Sequence, residues 1–297
     1  MSDGKPSELA EFLSARRAQL TPPDVGLDRA AVRRRVPGLR REELARLAGV
    51  SVDYYTRLEQ GRSRSASPEV LDALAAALQL NDAERQHLHH LAKPKPTRRK
   101  RRSRPQSVDP ATLRLLELLD QVCSPAFVLG RRLDVLAHNR LAGALITEFR
   151  ELPAPQRNQA RFVFFEPHAR ELYVNWSEVA ADTVAMLRLD AGRYPEDEKL
   201  SALVGELSIR SQEFRTWWSK HEVERRTTGT KAYHHPLVGD LTVGYQALNP
   251  AGDPDQVLFV YTTEPGSADE TALRLLADWR ERGRRDSPVG VPADQQR

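Results

Sequence analysis

Arg57 and Asp53 stand four residues apart within REELARLAGVSVDYYTRLEQG (Arg41–Gly61). On a helix that spacing places both on one face. An arginine fork can donate to guanine O6 and N7, and a carboxylate can accept from cytosine N4. Such chemistry needs a helix that enters a major groove while its opposite side is held. The stretch supplies the parts. Ala45 is the small residue where two helices would cross, Gly49 makes the turn between them, and Val50 plugs it. Ser51 is placed to cap the second helix and leave its first turn of N–H groups open. Leu44 and Ala48 face inward from the first helix, and Tyr55 and Leu58 from the second. The outward positions are Val52, Asp53, Thr56 and Arg57, with Tyr54 flanking. Arg40, Arg41, Arg62 and Arg64 lie just outside the pair, where phosphates would run and contacts position rather than specify. Any one of these cations is equally at home on a solvated face. An ordinary helical hairpin, however, does not require the small, glycine and apolar positions to agree at once.

Other chemistries find less support. No nucleophile elbow, glycine-rich phosphate loop or P-loop is present, so no catalytic residue is expected. Cys123 is the single cysteine, which excludes an intrachain disulfide framework and a cysteine-cluster zinc site. His234 and His235 are adjacent on a predicted strand, so their rings point to opposite faces and cannot chelate one metal together. No metal site is expected. The segment SQEFRTWWSKHEV (Ser211–Val223) stacks Phe214, Trp217, Trp218 and His221, while Tyr173, Trp176, Tyr245 and Phe259 add aromatic area. These rings could line a concavity, although each alone is better explained by core packing. Arg188 lies in the apolar run VAMLRLD (Val184–Asp190). Buried there, it needs an anionic partner, either an Asp or Glu or a bound carboxylate.

The elements that must hold these residues follow from length and composition. The chain has 297 residues, 40% of them hydrophobic and 29% charged, enough for about two domains with real cores. Mean hydropathy is −0.57. The apolar runs are too short to cross a bilayer, and MSDGKPSELAEF lacks an apolar signal region. A soluble cytoplasmic protein with no membrane partner is the expectation. The net charge of +4 conceals an asymmetry: residues 1–105 carry 22 Lys and Arg against 13 Asp and Glu, and the remainder is net acidic. A basic front ahead of an acidic rear points the front toward a polyanion, although an arginine-rich coding bias would give the same composition.

Apolar periodicity predicts front helices over 8–20, 40–48, 51–60, 68–78 and 82–91, with a loop over 24–38. The front domain is therefore 8–92. Residues 93–107, with prolines and a dense run of cations, form a linker that is either a solvated tether or an added phosphate contact. The rear domain, 108–282, opens with a helix over 110–122 and a strand, turn and strand over 126–139. It continues with helical segments near 140–148, 166–173, 176–191, 197–209 and 211–219. Strands over 231–236, 241–248 and 256–263 and a helix over 269–281 close it. A disordered tail is expected over 283–297. The expected fold is an all-α bundle followed by an α+β domain of PAS-like architecture, with one five-stranded antiparallel sheet.

Two resemblances fit this layout. GVSVDYYTRLEQGR with SPEVLDALAAALQL resembles the XRE (lambda-repressor-like) helix-turn-helix family over roughly residues 8–92. That resemblance implies sequence-specific binding of a double-stranded DNA operator as a homodimer, on half-sites about one helical turn apart. DVLAHNRLAGAL, RNQARFVFFEPHARELYVNW, LVGELSIRSQEFRTWWSKHEV, KAYHHPLVGDLTVGYQAL and YTTEPGS resemble, in that order, the MmyB-type ligand-binding domain over about 108–277. It implies a PAS-like pocket for a small apolar or acyl-like effector, with no other cofactor. By position, Asn139, Asn158, Phe165, Trp176, Arg188, Phe214, Trp218, His221, Lys231 and His235 match that family's recurrent residues. A DNA-tethered enzyme and a rear domain that recruits a protein without a ligand are the rival readings.

Overall fold

The computed structural model describes residues 8–27, 38–63, 66–92, 106–220, 227–250 and 253–285. The front helices are α1 (Glu8–Gln19), α2 (Arg41–Leu47), α3 (Val52–Glu59), α4 (Pro68–Ala77) and α5 (Asp82–Ala92). Then follow α6 (Pro110–Gln121), β1 (Ala126–Leu129), β2 (Val135–His138), α7 (Arg140–Leu145), α8 (Gln159–Phe165), α9 (Pro167–Leu172) and α10 (Trp176–Arg193). The chain continues through α11 (Glu198–Arg210), α12 (Gln212–Ser219), β3 (Thr228–His235), β4 (Gly239–Leu248), β5 (Val257–Thr262) and α13 (Ala268–Arg285). Among the described residues, no helix is long and apolar enough to cross a membrane. By their contacts these elements form two compact units, one drawn from residues 1–103 and 181–225, the other from 104–180 and 226–297.

In the first unit the helix ends are set by their caps. Ser67 accepts from Val70 N–H ahead of Pro68. Asn81 and Glu84 each accept from the other's backbone N–H at 2.9 Å, a reciprocal arrangement that satisfies two orphan donors. Phe12, Leu13, Leu44, Tyr55, Leu58, Leu74 and Leu88 are buried in one core, each apolar side chain contributing about 1.5–3 kcal/mol. The described residues of 181–220, which fall within the stretch read as the rear domain, make their contacts with this unit. Leu189 of α10 packs against the front core, Gln19 donates to Lys220 O, and a Cβ on Gly192 would sit 2.4 Å from the His87 ring. Helical periodicity shows which side of α10–α12 is buried, not what buries it.

In the second unit five antiparallel strands lie in the order β2-β1-β5-β4-β3, the five-stranded sheet expected. Alternation along the strands divides its side chains between two faces. Ala126, Val128 and Leu258 cluster with Leu116 of α6 on one face. The other face is aromatic: Phe127 stacks on Phe259 at 5.2 Å, and Tyr245 and Tyr233 each contact Tyr261. Tyr173, beyond α9, meets Tyr233 through a short bridge and ring contact at 5.3 Å. The turn between β1 and β2 holds Arg132 and Leu133 at positive φ, a strained conformation for such residues. α8 falls between the helical segments read from periodicity. Its sequence QARFVFF has strand-like composition, but Asn158 caps it as a helix by accepting from Arg161 N–H at 3.1 Å.

Candidate functional site

The crossing of α2 and α3 begins with Gly49. Its φ of +66° is a conformation natural to glycine. Val50 N–H reaches back to Ala45 O at 3.0 Å, closing α2 with a left-handed cap. Ser51 Oγ then accepts from Tyr54 N–H at 3.2 Å and starts α3. Leu44, Ala45, Tyr55 and Leu58 are fully buried between the helices. The opposite face of α3 is open. Val52 is 48% exposed, Ser51, Asp53 and Arg57 are exposed, and Tyr54 and Thr56 are half-buried. Asp53 and Arg57 form an ion pair at 3.2 Å along that face, so the carboxylate aims the guanidinium.

The flanking arginines differ in their engagement. Arg62 is exposed. Arg40 N–H donates to the Glu43 carboxylate, and its guanidinium lies 3.4 Å from Glu42. Arg41 donates to Glu59 at 3.1 Å. Arg64 lies outside the described residues. Glu59 itself, buried at the end of α3, is the residue that sequence reasoning missed. Arg17 of α1 grips it with two bonds, at 3.0 and 2.7 Å, and also donates to Leu39 O. Burial pushes the Glu59 carboxyl up, but the bonds and charge of Arg17, with Tyr55 and Arg41, outweigh it and hold it below the usual range. Burial and the nearby Glu59 charge raise the Tyr55 phenol well above its ordinary value. The carboxylate thus ties α1, α2 and α3 together at one point. Only its spacing from Tyr55 was visible in the sequence; Arg17 is 42 residues away.

The ten residues matched to the recurrent ligand-domain positions are divided between the units. Arg188, Phe214 and Trp218 belong to the first, and His221 lies outside the described residues. Arg188 is buried with its guanidinium 3.9 Å above the Trp218 ring, and it donates to Trp218 O. Phe214 stacks on the Trp218 ring at 5.5 Å. Burial brings the Arg188 pKa down to about 10 against the opposing charges of Glu8 and Glu11. Those two carboxylates are the anionic field that a buried arginine was expected to need.

The other six lie in the second unit, and three of them are spent on backbone. Asn139 Oδ1 accepts from Ala126 and Ala142 N–H, and its Nδ2 donates to Ser124 O. Asn158 donates to Arg132 O and to Asp134, pinning the strained β1–β2 turn while capping α8. His235 Nε2–H donates to Ala144 O, and Nδ1 accepts from Leu237 N–H. Both ring nitrogens are satisfied in the neutral tautomer, and burial lowers its pKa. His234 points the other way and meets Asp240 in solvent, as strand alternation requires. Trp176 donates to Val163 O at 2.9 Å under the Arg170 guanidinium. Phe165 is half-buried. Lys231 Nζ stands 5.4 Å from the Tyr245 ring on the aromatic sheet face. Among the described residues, no group of three or more potential ligand side chains could hold a metal.

Asn158→Ala is expected to cost about 1–3 kcal/mol, because it strands the Arg132 carbonyl and removes a cap. Thermal melting checks the loss. If the residue acts through the fold, the protein that remains folded binds ligand with unchanged affinity.

A groove of about 650 Å³ runs between α6 and β2, lined by Leu113, Leu116, Leu136 and Phe149 with Arg140 and Arg150 at its rim. Arg140 is engaged by Asp120 at 2.6 Å.

Set beside models of known families, residues 108–276 match the MmyB-like transcription regulator ligand binding domain. Residues 8–88 match a helix-turn-helix domain. No curated protein matches the chain.

Proposed function

The chain belongs to the family of MmyB-like transcription regulator ligand-binding domains and carries a helix-turn-helix domain ahead of it, and from that premise we propose how it works. It is a transcription regulator that reads a specific operator with α3 and senses a small apolar or acyl-like effector in its second unit. It acts as a homodimer in the cytoplasm and performs no catalysis. One observation carries the reading. The face of α3 bearing Val52, Asp53, Thr56 and Arg57 is open, while the opposite face is locked by buried Tyr55, Leu58 and Glu59. That is a rigid helix with a free edge, the geometry of a major-groove reader. Arg40 and Arg62, beside it, are placed for phosphates.

The aromatic sheet face supports the effector side of the reading. Phe127, Tyr245 and Phe259 offer an apolar wall, with Lys231 beside it as a cation for an acyl carboxylate. The chain passes between its two units three times. Effector binding that favours one arrangement of the chain is thereby linked to operator binding. Operator affinity is expected to change by about 5-fold or more when a medium- or long-chain fatty acid saturates the protein. Fluorescence anisotropy on an operator selected from random duplexes measures this. Equal affinities at saturation would remove the sensor role and leave the DNA-reading role intact.

A further inference from the structure

The match to a ligand-binding domain runs over residues 108–276, yet one part of that stretch packs on the helix-turn-helix domain. α10 is a single helix from Trp176 to Arg193. It begins in the second unit, where Trp176 donates to Val163 O of α8. From residue 181 onward it groups with the first unit, together with α11 and α12.

Four observations place this lobe on α1 and α5. Leu189 packs against the core that holds Phe12, Leu13 and Leu88. Gln19 at the end of α1 donates to Lys220 O just beyond α12. Glu8 and Glu11 of α1 act through their charges on Arg188, which the Trp218 ring and carbonyl hold within the lobe. The fourth is Gly192. Its φ is not left-handed, and glycine disfavours a helix relative to alanine, so the backbone alone does not call for it. A methyl there would lie 2.4 Å from the ring of the buried His87. Glycine is the residue that lets α10 and α5 approach so closely, and His87 in turn meets Phe12 of α1 edge-on at 5.2 Å.

The seat leads toward the reading helix. Arg16 of α1 pairs with Glu84 of α5 at 2.7 Å, latching the two helices together. One residue on, Arg17 grips Glu59 at the end of α3. The helix that receives the lobe is thus the helix that anchors α3.

We propose that α10–α12 is the docking lobe of the ligand-binding domain: it seats on α1 and α5 and passes the effector's state to α3. Arg188, Phe214 and Trp218 then act as positioning residues of this lobe, not as effector contacts. The signal rests on the sensor reading above; the docking rests on the contacts alone. An effector that favours one placement of α10 shifts the seat and, through α1, the reading helix.

The test is hydrogen–deuterium exchange of the full chain, read by mass spectrometry, with operator anisotropy beside it. In wild type, saturating dodecanoate is expected to alter exchange in α10–α12, α1 and α5 as well as in the second unit. Gly192→Ala is expected to speed exchange in α1, α5 and the lobe, to leave the sheet unchanged, and to abolish the response of about 5-fold in operator affinity. In a His87→Ala chain the ring is gone, so adding Gly192→Ala should have no further effect. That pair and the wild-type measurement keep the test decisive if Gly192→Ala alone misfolds. Dodecanoate effects confined to the second unit would overturn the proposal. So would a Gly192→Ala chain with wild-type exchange and response, or a Gly192→Ala effect of equal size with and without the His87 ring. Exchange unchanged by dodecanoate everywhere would remove the sensor reading and the signal with it, and the docking would then stand or fall by the Gly192→Ala and His87→Ala comparison.

Discussion

Glu59→Ala is expected to destabilise the helix-turn-helix unit by about 3–5 kcal/mol, because it leaves Arg17 in the interior without its carboxylate. Arg17 and Glu59 share two bonds, and Arg41 adds a third. Removing one member strands a buried charge, which costs far more than the net worth of an intact pair. The expected readout is a lower melting temperature for the full chain, with loss of operator binding that tracks unfolding. Glu59→Gln keeps the shape and some hydrogen bonding, so it should fall between wild type and the alanine variant. Equal melting of all three proteins would show that the carboxylate does not hold the helices.

The same carboxylate gives the unit a direction in pH. Its pKa in the folded protein lies below the usual glutamate value of 4.5. A depressed carboxylate contributes stability that is fully present above the unfolded value and is lost as pH falls through the folded one. The unit should therefore hold its strength near neutrality and weaken below about pH 4.5. Other depressed carboxylates, Asp24 in this unit and Glu270 in the second, act in the same sense on the full chain. The difference between wild type and Glu59→Gln isolates the contribution of Glu59: the variant should show a shallower acid slope.

The parts of the fold that were legible in the sequence are those written in short-range code. Ala45, Gly49, Val50 and Ser51 stand within seven residues of one another, and each states a local requirement of the turn. The cap and the buried faces of α2 and α3 follow directly. The strand pattern around Phe127, Tyr245 and Phe259 likewise fixed the sheet through alternation. What was not legible depends on distant pairing. The front core accepts Leu189 and close packing at Gly192, yet nothing in α10 names α5 as its neighbour. Asn139, Asn158 and His235 stood out as candidates for ligand contact. In the structure their polar atoms, at the junctions of β1, β2, α7 and α8, bond mostly to backbone groups. Short elements joined by tight turns leave many unpaired N–H and C=O groups, and buried asparagines are well suited to satisfy them.

Arg57→Ala should leave the melting temperature nearly unchanged and cost about 1–3 kcal/mol of operator affinity, a loss of about 10- to 200-fold, concentrated at one base position. The side chain is exposed and takes no part in the core, so its removal has little to destabilise. Among the described residues it pairs with Asp53, 3.2 Å away and also exposed, and such pairs add little to stability. The pair matters for aim. In free protein Asp53 holds the guanidinium along the open face of α3, which reduces the rotamer freedom lost when a base is gripped. Asp53→Ala should therefore weaken binding less than Arg57→Ala, and the double variant should fall short of the sum of the two losses. Selection from random duplexes discriminates the outcomes. Relaxed preference at a single position marks a base contact. A uniform loss across all sequences, with a shallower salt dependence, would make Arg57 a phosphate contact and move base reading to Val52, Tyr54 and Thr56.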